Sequence, residues 1–287
     1  MSAASKAIAS YLAIAFGVAW IAWELAFRLG AGATPGNFQL YILPGSFAPA
    51  IAAIVVRRWI TREGFADAGL GIHARQWRYY LLAWLLPLAV VLAIAAEAGA
   101  LGIATADFST QTAIKAMGRE PPAAIAPYVG YIAVVQLLVR ALFFTAILWG
   151  EEFGWRGYLQ QRLFPGRPLL AAVATGIIWA AWHYPLIFRG YNYPGHPWLG
   201  ILLFPVTAVL LSIIFGWLRE RSGSTWVPSL AHSATNVVGG SLSVLWFYGI
   251  ADPLWVGYQG LLAWLPLGAL SLWIVMSGRS RPVARQQ

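Results

Sequence analysis

Long apolar segments recur from one end of the chain to the other, separated by short polar connections. A helix of roughly 20 residues crosses a bilayer, and these segments have about that length. Because lipid offers the backbone no hydrogen-bond partner, and because the residue alternation of a membrane barrel is missing, each segment is predicted to be a helix. The pattern therefore predicts an all-α, polytopic membrane protein with about eight transmembrane helices, near residues 7–27, 38–56, 79–104, 126–150, 168–187, 199–218, 225–248 and 256–276.

The composition agrees with this prediction and excludes a water-soluble fold. Hydrophobic residues make up 60% of the chain and charged residues 10%, whereas roughly a quarter of the residues in a soluble domain are charged. No repeat or shift in composition divides the chain, so residues 1–287 are predicted to form a single membrane domain, with a disordered cytoplasmic tail at residues 277–287. The first segment is longer than the apolar part of a signal peptide and lacks a clean cleavage site, which predicts a retained helix.

The charged residues indicate the orientation of the chain in the membrane. The formal net charge is +9, but the cations lie between apolar segments and not on one soluble face, so no nucleic-acid partner is expected. With the N-terminus in the cytoplasm, fourteen of the 19 lysines and arginines fall on the cytoplasmic side. The positive-inside rule therefore predicts a multi-pass protein of the lipid bilayer with both termini cytoplasmic. The absence of cysteine excludes disulfides and a cysteine nucleophile.

Ionisable residues are costly inside a bilayer and usually face a partner or a cavity. The stretch "EEFGWR" carries Glu151, Glu152 and Arg156 at the end of the fourth apolar segment. Four-residue spacing on a helix predicts an ion pair between Glu152 and Arg156, while Glu151 points about 100° away and is free for other work. Placing these residues inside the membrane requires the fourth helix to continue to about Leu163, which makes it too long for one upright span.

Two further polar motifs lie on later apolar segments. In "WAAWH", Trp179 and His183 share one helix face, and in "HSATN", His232 and Asn236 are again four residues apart. Counting about 1.5 Å per residue from the nearest cytoplasmic arginine places both histidines and Glu151 within one layer. The sequence therefore predicts that the three motifs meet in a buried polar cavity.

The side chains in these motifs suit hydrolysis. A carboxylate can activate water as a general base, a histidine can hold that water, and a second histidine with an amide can stabilise an oxyanion. Zinc offers another arrangement, with Glu151, His183 and His232 as ligands and water in the open position. Both mechanisms stay open, with a preference for the metal-free one because Asn236 is a good oxyanion donor and a poor zinc ligand.

In these motifs and their order, the chain resembles the CPBP family of intramembrane proteases, which includes CAAX prenyl endopeptidases and bacterial proteins of bacteriocin processing and self-immunity. The resemblance covers a catalytic core of about residues 124–248. It implies an intramembrane endopeptidase in which Glu151 activates water and His183 helps to hold it. It also implies an oxyanion pocket formed by His232 and Asn236.

The resemblance gives supporting roles to Glu152, Arg156 and Trp179. Many family members have phenylalanine at the position of Trp179, so this chain keeps the aromatic ring but departs in its chemistry. The implied substrate is a membrane-associated peptide or protein, which is prenylated in the case of the eukaryotic relatives. Cleavage is expected near the cytoplasmic side of the bilayer.

Two other functions are compatible with the same fold. A catalytically inactive relative could use the cavity as a membrane scaffold or binding protein. A small-molecule transporter is a weaker alternative, because inverted repeats and paired broken helices are missing. Outside the three motifs, Glu97 and Arg140 lie inside predicted spans with opposite charges, which predicts a structural ion pair between the third and fourth helices.

Overall fold

A computed structural model describes residues 2–30, 38–118 and 120–277, and in this part of the chain all regular secondary structure is helical. The all-α prediction is therefore confirmed. Of the tail predicted at residues 277–287, all but Ser277 lies outside the described residues. The α-helices are α1 Ala3–Leu29, α2 Phe38–Ser46, α3 Ala48–Val55, α4 Trp77–Ala100, α5 Thr110–Met117, α6 Val129–Gly154, α7 Gln160–Arg162, α8 Pro168–Trp182, α9 Tyr184–Ile187, α10 Pro197–Ser222, α11 Trp226–Ala234, α12 Gly240–Trp246, α13 Pro253–Val256 and α14 Trp264–Met276.

Several of these helices are built to cross a membrane, which confirms a polytopic membrane protein. Two shorter apolar helices, α8 and α14, lie within the fifth and eighth predicted segments. The eighth segment becomes helical later than predicted, because a short helix and turns precede Trp264. In the described chain, five helical stretches are long and apolar enough to span a bilayer by themselves, namely Ala3–Leu29, Phe38–Ile60, Ala74–Ala100, Ala126–Arg162 and Pro197–Ser222.

The helix that begins at Ala126 runs for 37 residues to Arg162, so it continues past Gly150 as the polar motif required. It changes from α-helix to a π-helical turn at Trp155–Leu159 and then returns to α-helix. Similar π-turns occupy Val56–Ile60 and Thr235–Gly239. Single π-turns inside α-helices are frequent at functional sites, and two of these three contain a residue of the sequence motifs.

The helices pack closely where small residues or indole rings lie between them. The indole N–H of Trp23 on α1 donates to the carbonyl of Ile42 on α2 at 2.8 Å. Helix α8 packs along α10, and a Cβ added at Gly176 would lie 2.6 Å from the Cα of Val209. Glycine is therefore required at this crossing, since small residues allow membrane helices to approach each other.

One end of the helix bundle is held by ion pairs that we call the end cluster, made of Arg57, Glu63, Asp67 and Arg162. Arg57 is fully buried and donates through both terminal nitrogens to Asp67, at 2.8 and 3.0 Å. Arg162 donates to Glu63 at 2.5 Å. The cluster thus ties the connection after α3 to the end of the long fourth span.

The ion pair predicted between Glu97 and Arg140 is wrong. Among the described residues, neither takes part in an ion pair, and Oε2 of Glu97 is buried without a hydrogen-bond partner. Similar depth and opposite charge do not determine which faces two helices present to each other, so the sequence could not test this pairing.

Candidate active site

The "EEFGWR" motif lies where α6 passes into its π-turn. Glu152 and Arg156 form the ion pair expected from their spacing, with Nη1 of Arg156 donating to Oε1 of Glu152 at 2.8 Å. Both side chains are 0% exposed. Glu151 points elsewhere and keeps a small exposed fraction of 4%. The two adjacent glutamates therefore have different surroundings, as the helical geometry predicts.

Trp179 on α8 lies at the centre of the motif residues. Its indole N–H donates to Oε2 of Glu151 at 3.0 Å. The guanidinium carbon of Arg156 lies 4.7 Å from the centre of the indole ring. The rings of His183 and His232 meet the indole edge to face, with centroid distances of 5.5 and 5.1 Å. The structure thus brings residues of all three motif-bearing helices around one tryptophan.

We call this group the polar layer and define it as Glu151, Glu152, Arg156, Trp179, His183 and His232. Sequence reasoning included Trp179 only as a supporting aromatic residue. Its hydrogen bond to Glu151 could not be inferred from the spacing, because it joins two helices. Phenylalanine, which many family members carry at this position, has no N–H and could not make this contact.

His183 lies at the point where α8 ends. Its Nδ1 is 2.9 Å from the carbonyl oxygen of Trp179, four residues earlier. A carbonyl oxygen can only accept a hydrogen bond, so Nδ1 carries the proton of the neutral ring and Nε2 keeps its lone pair. The ring also stacks parallel to that of Tyr191, with a centroid distance of 6.1 Å and an interplanar angle of 3°. His183 is therefore held with Nε2 available as an acceptor.

His232 is oriented by the neighbouring ion pair. Its Nδ1 lies 2.9 Å from Oε1 of Glu152, the same oxygen that accepts from Arg156. The side chain is 3% exposed. Because a carboxylate can only accept, Nδ1 is the donor here as well. Glu152 therefore fixes the direction of the His232 ring.

Asn236 has different surroundings from His232. It lies in the π-turn Thr235–Gly239, which replaces the regular α-helical spacing assumed in the sequence analysis. The side chain is half-buried and lines a cavity of about 1070 Å³. His232 instead is buried beside Glu152. The two residues are thus four positions apart in the chain, with His232 in the polar layer and Asn236 at the cavity wall.

The cavity borders the polar layer through Asn236 and through Tyr191, whose ring covers that of His183. Its other lining residues come from α2, α5, α6, α12 and α13 and from the connections that follow α9, α12 and α13, toward the end of the bundle opposite the end cluster. Aromatic and aliphatic side chains form much of the wall, including Phe38, Leu137 and Tyr248. A cavity of this size can hold several residues of a peptide or a small ligand.

The zinc arrangement finds no support in the positions of the donors. In the described ranges, no group of three or more His, Asp or Glu side chains is arranged so that it could hold a metal ion. Oε2 of Glu151 and Nδ1 of both histidines instead contact protein groups. We therefore derive no step through a metal.

His196, which is outside the motifs, is partnered near the cavity end of the molecule. Its Nε2 lies 2.8 Å from a carboxylate oxygen of Asp252. The hydrogen bond from the backbone N–H of Leu254 holds the pKa of the Asp252 carboxyl below its ordinary value, and the hydrogen bond with His196 lowers this pKa by a smaller amount. Within the described residues, this exposed pair caps the start of α13 and forms no hydrogen bond with the polar layer.

Comparison with known proteins agrees with the motif resemblance. Residues 131–238 match the family described as "Type II CAAX prenyl endopeptidase Rce1-like". A curated relative, "CAAX prenyl protease 2" of Methanococcus maripaludis, is 33% identical over 94 residues, which cover 31% of this chain and 32% of that protein. The chain thus matches about a third of the length of this curated relative. The family match covers the region that carries the three motifs, so this part of the chain is similar to CAAX prenyl endopeptidases.

Proposed function

We propose that this protein is an intramembrane endopeptidase that hydrolyses a peptide bond of a membrane-associated substrate. One observation carries the proposal. Glu152 is committed to Arg156 and His232, whereas Glu151 has a single side-chain donor, Trp179, in a layer that borders a large cavity. Glu151 also keeps 4% exposure, whereas Glu152 is fully buried, and a carboxylate that has one neutral donor and stays accessible suits a general base.

In the proposed reaction, Oε1 of Glu151 takes a proton from water while the water oxygen attacks the carbonyl carbon of the scissile bond. Nε2 of His183 accepts a hydrogen bond from the same water and so helps to position it. The hydrogen bond from Trp179 fixes the direction of the carboxylate. Because the site is closed by packed rings, bulk water cannot weaken these interactions.

The attack places negative charge on the former carbonyl oxygen. The amide of Asn236 is proposed to donate to this oxyanion from the cavity wall, together with Nε2 of His232. The two glutamates and Arg156 leave one negative charge in excess, so a second proton on His232 would balance it and provide the donor. Glu151 then passes its proton to the leaving amine, the C–N bond breaks, and the carboxylate is restored.

The substrate is proposed to be a protein segment at the membrane, and the similarity to a relative named "CAAX prenyl protease 2" supports a protein substrate. The apolar and aromatic wall of the cavity could accept a prenyl group as well as peptide side chains. A membrane protease that reaches its bond through such a cavity selects substrates that are already held at the bilayer.

The proposed reaction can be tested without knowing the substrate. Membranes from cells with wild-type protein and with Glu151→Gln are compared for new peptide termini, using Glu97→Gln as a control for another intramembrane glutamate. We expect a set of termini that is present with wild type and Glu97→Gln and lost with Glu151→Gln. Identical termini in all three would contradict the proposed activity and favour a scaffold or binding role for the same cavity.

We also propose that both termini are cytoplasmic, because cations are concentrated at the end of the bundle that carries the end cluster. With this orientation, the cavity opens toward the opposite face, so its position gives no support to the expectation of cleavage near the cytoplasmic side. Reporter fusions at each terminus and in the connection after α3 should all indicate the cytoplasm. A C-terminus on the other side would contradict the orientation.

A further inference from the structure

The cavity wall contains an arginine that the proposed reaction does not use. Arg140 lies on α6, is exposed, and lines the cavity. Among the described residues, it forms neither an ion pair nor a hydrogen bond, and its guanidinium carbon lies 5.8 Å from the centre of the Phe144 ring. A cation inside a membrane-spanning helix is costly. An unpaired one that faces a cavity therefore indicates an anionic ligand.

The other charged residue on this wall is already engaged. Arg189 donates to the carboxylate of Glu24 and, at 2.8 Å, to the carbonyl oxygen of Pro185. The described residues that line the cavity include no Asp or Glu. Arg140 thus gives the cavity an uncompensated positive charge, and a carboxylate that entered would meet no repelling acid.

The helix fixes how Arg140 is related to the proposed base. Both residues lie on α6, which is continuous α-helix over Val129–Gly154. Glu151 follows Arg140 by eleven positions, which correspond to three helical turns plus about 20°. The two residues therefore lie on nearly the same face of the helix. Their separation along the axis is about 16 Å. A ligand that follows this face would therefore contact Arg140 at one end and reach the polar layer at the other.

We propose that Arg140 binds a carboxylate of the peptide substrate, about three to five residues from the scissile bond. Three residues of extended chain span about 10 Å and five about 17 Å, and the long arginine side chain covers the difference. The planar guanidinium can donate two parallel hydrogen bonds to a carboxylate. This proposal rests on the proposed function, because the register is counted from Glu151.

The carboxylate could belong to the C-terminus of the substrate or to an acidic side chain. The position of the cavity favours a peptide over an anionic lipid, because the wall that holds Arg140 also holds Asn236, the proposed oxyanion donor. A lipid phosphate at Arg140 would occupy the space that the substrate needs. Specificity would then come from a charge placed at a set distance from the bond that is cut.

Binding can be measured separately from cleavage in purified Glu151→Gln protein. The probes are fluorescent farnesylated peptides with three residues after the farnesylated cysteine, made with a free C-terminal acid, with a C-terminal amide, or with a C-terminal amide and aspartate as the last residue. A second series has five residues after the cysteine. Fluorescence anisotropy gives the dissociation constant of each peptide for the Glu151→Gln protein. The measurement is then repeated with proteins that combine Glu151→Gln with Arg140→Gln, Arg140→Lys or Arg75→Gln.

With Arg140 present, we expect the acid or the aspartate peptide to bind about 10- to 100-fold more tightly than the plain amide. The better of the two identifies the source of the carboxylate. Arg140→Gln should remove this preference, Arg140→Lys should keep part of it, and Arg75→Gln, an exposed cation far from the cavity, should leave it unchanged. Among the described residues, Arg140 has no ion pair or hydrogen bond to lose, so these variants should remain folded.

The proposal is overturned if the preference survives in Arg140→Gln or if no peptide form is preferred in its presence. It is also overturned if Arg140→Gln changes only the amount of anionic lipid that copurifies, which would assign the arginine to the bilayer. These binding results do not depend on whether the protein with Glu151 intact cleaves peptides. Loss of the endopeptidase activity and loss of the carboxylate site can therefore be distinguished.

Discussion

The polar layer and the end cluster both join arginine to carboxylates, but they satisfy these groups to different extents. In the end cluster, Arg57 donates to both oxygens of Asp67, at 2.8 and 3.0 Å, and to the carbonyl of Gly64 at 2.5 Å. In the polar layer, Arg156 donates once, to Glu152 at 2.8 Å. Nε and Nη2 of Arg156 and Oε2 of Glu152 are buried with no hydrogen-bond partner among the described residues.

The difference indicates what each group of charges contributes. Burial alone would raise the pKa of Asp67, but the hydrogen bonds from Arg57 hold this pKa below its ordinary value. The Asp67 side chain remains 40% exposed. The end cluster therefore anchors a connection at modest cost. Buried polar atoms without partners are destabilising, so the polar layer is better explained by its chemistry than by stability. The predictions below contrast the two groups.

The largest expected effect is on folding. Arg156→Ala leaves Glu152 buried without its ion-pair partner, which should lower the free energy of unfolding by about 3–5 kcal/mol. Arg162→Ala removes a partly exposed partner from the end cluster and should cost less than about 1 kcal/mol. Thermal unfolding of both variants in one detergent measures the difference. Equal shifts in the two proteins would show that the layer and the cluster are energetically alike.

The next effect is on turnover and separates the two mechanisms considered from the sequence. His232→Ala and Asn236→Ala should each slow cleavage on the order of 10²- to 10³-fold, because each removes a donor to the oxyanion. The double variant should be little slower than the worse single one, with metal content unchanged. Stoichiometric zinc in the active protein, lost together with activity in His232→Ala, would instead establish a metal mechanism.

A smaller effect is expected from the hydrogen bond that orients Glu151. Trp179→Phe keeps a ring but removes the N–H, and kcat should fall about tenfold with a smaller change in KM. Trp23→Phe is the matched control, because it removes an equally buried indole bond, to Ile42, outside the layer. Its kcat should equal that of wild type. Equal kcat values for the two variants would contradict an orienting role of Trp179.

The sequence predicted the parts of this structure that follow from spacing along one helix. Apolar length predicted membrane helices, the four-residue spacing predicted the pair between Glu152 and Arg156, and cation positions predicted similar depths for the three motifs. Each of these depends on local geometry that a single helix fixes. Similar depth predicted that the three motifs would meet in one layer, but not that Trp179 would lie among them.

What the sequence could not give depends on contacts between helices. The indole bond to Glu151 and the missing pair between Glu97 and Arg140 are set by how helices rotate against each other. The π-turn at Thr235–Gly239 separates the surroundings of His232 and Asn236, which the four-residue spacing of a regular α-helix would place on one face. The cavity and the position of Arg140 on its wall also arise only when the helices are assembled.

The central claim is that Glu151 activates the water. The most direct test is single-turnover cleavage of one substrate peptide by purified Glu151→Gln and Glu97→Gln, each shown to unfold at the wild-type temperature. The account predicts that Glu151→Gln is slower by about 10²- to 10⁴-fold and that Glu97→Gln cleaves at the wild-type rate. A folded Glu151→Gln protein that cleaves as fast as wild type would contradict it.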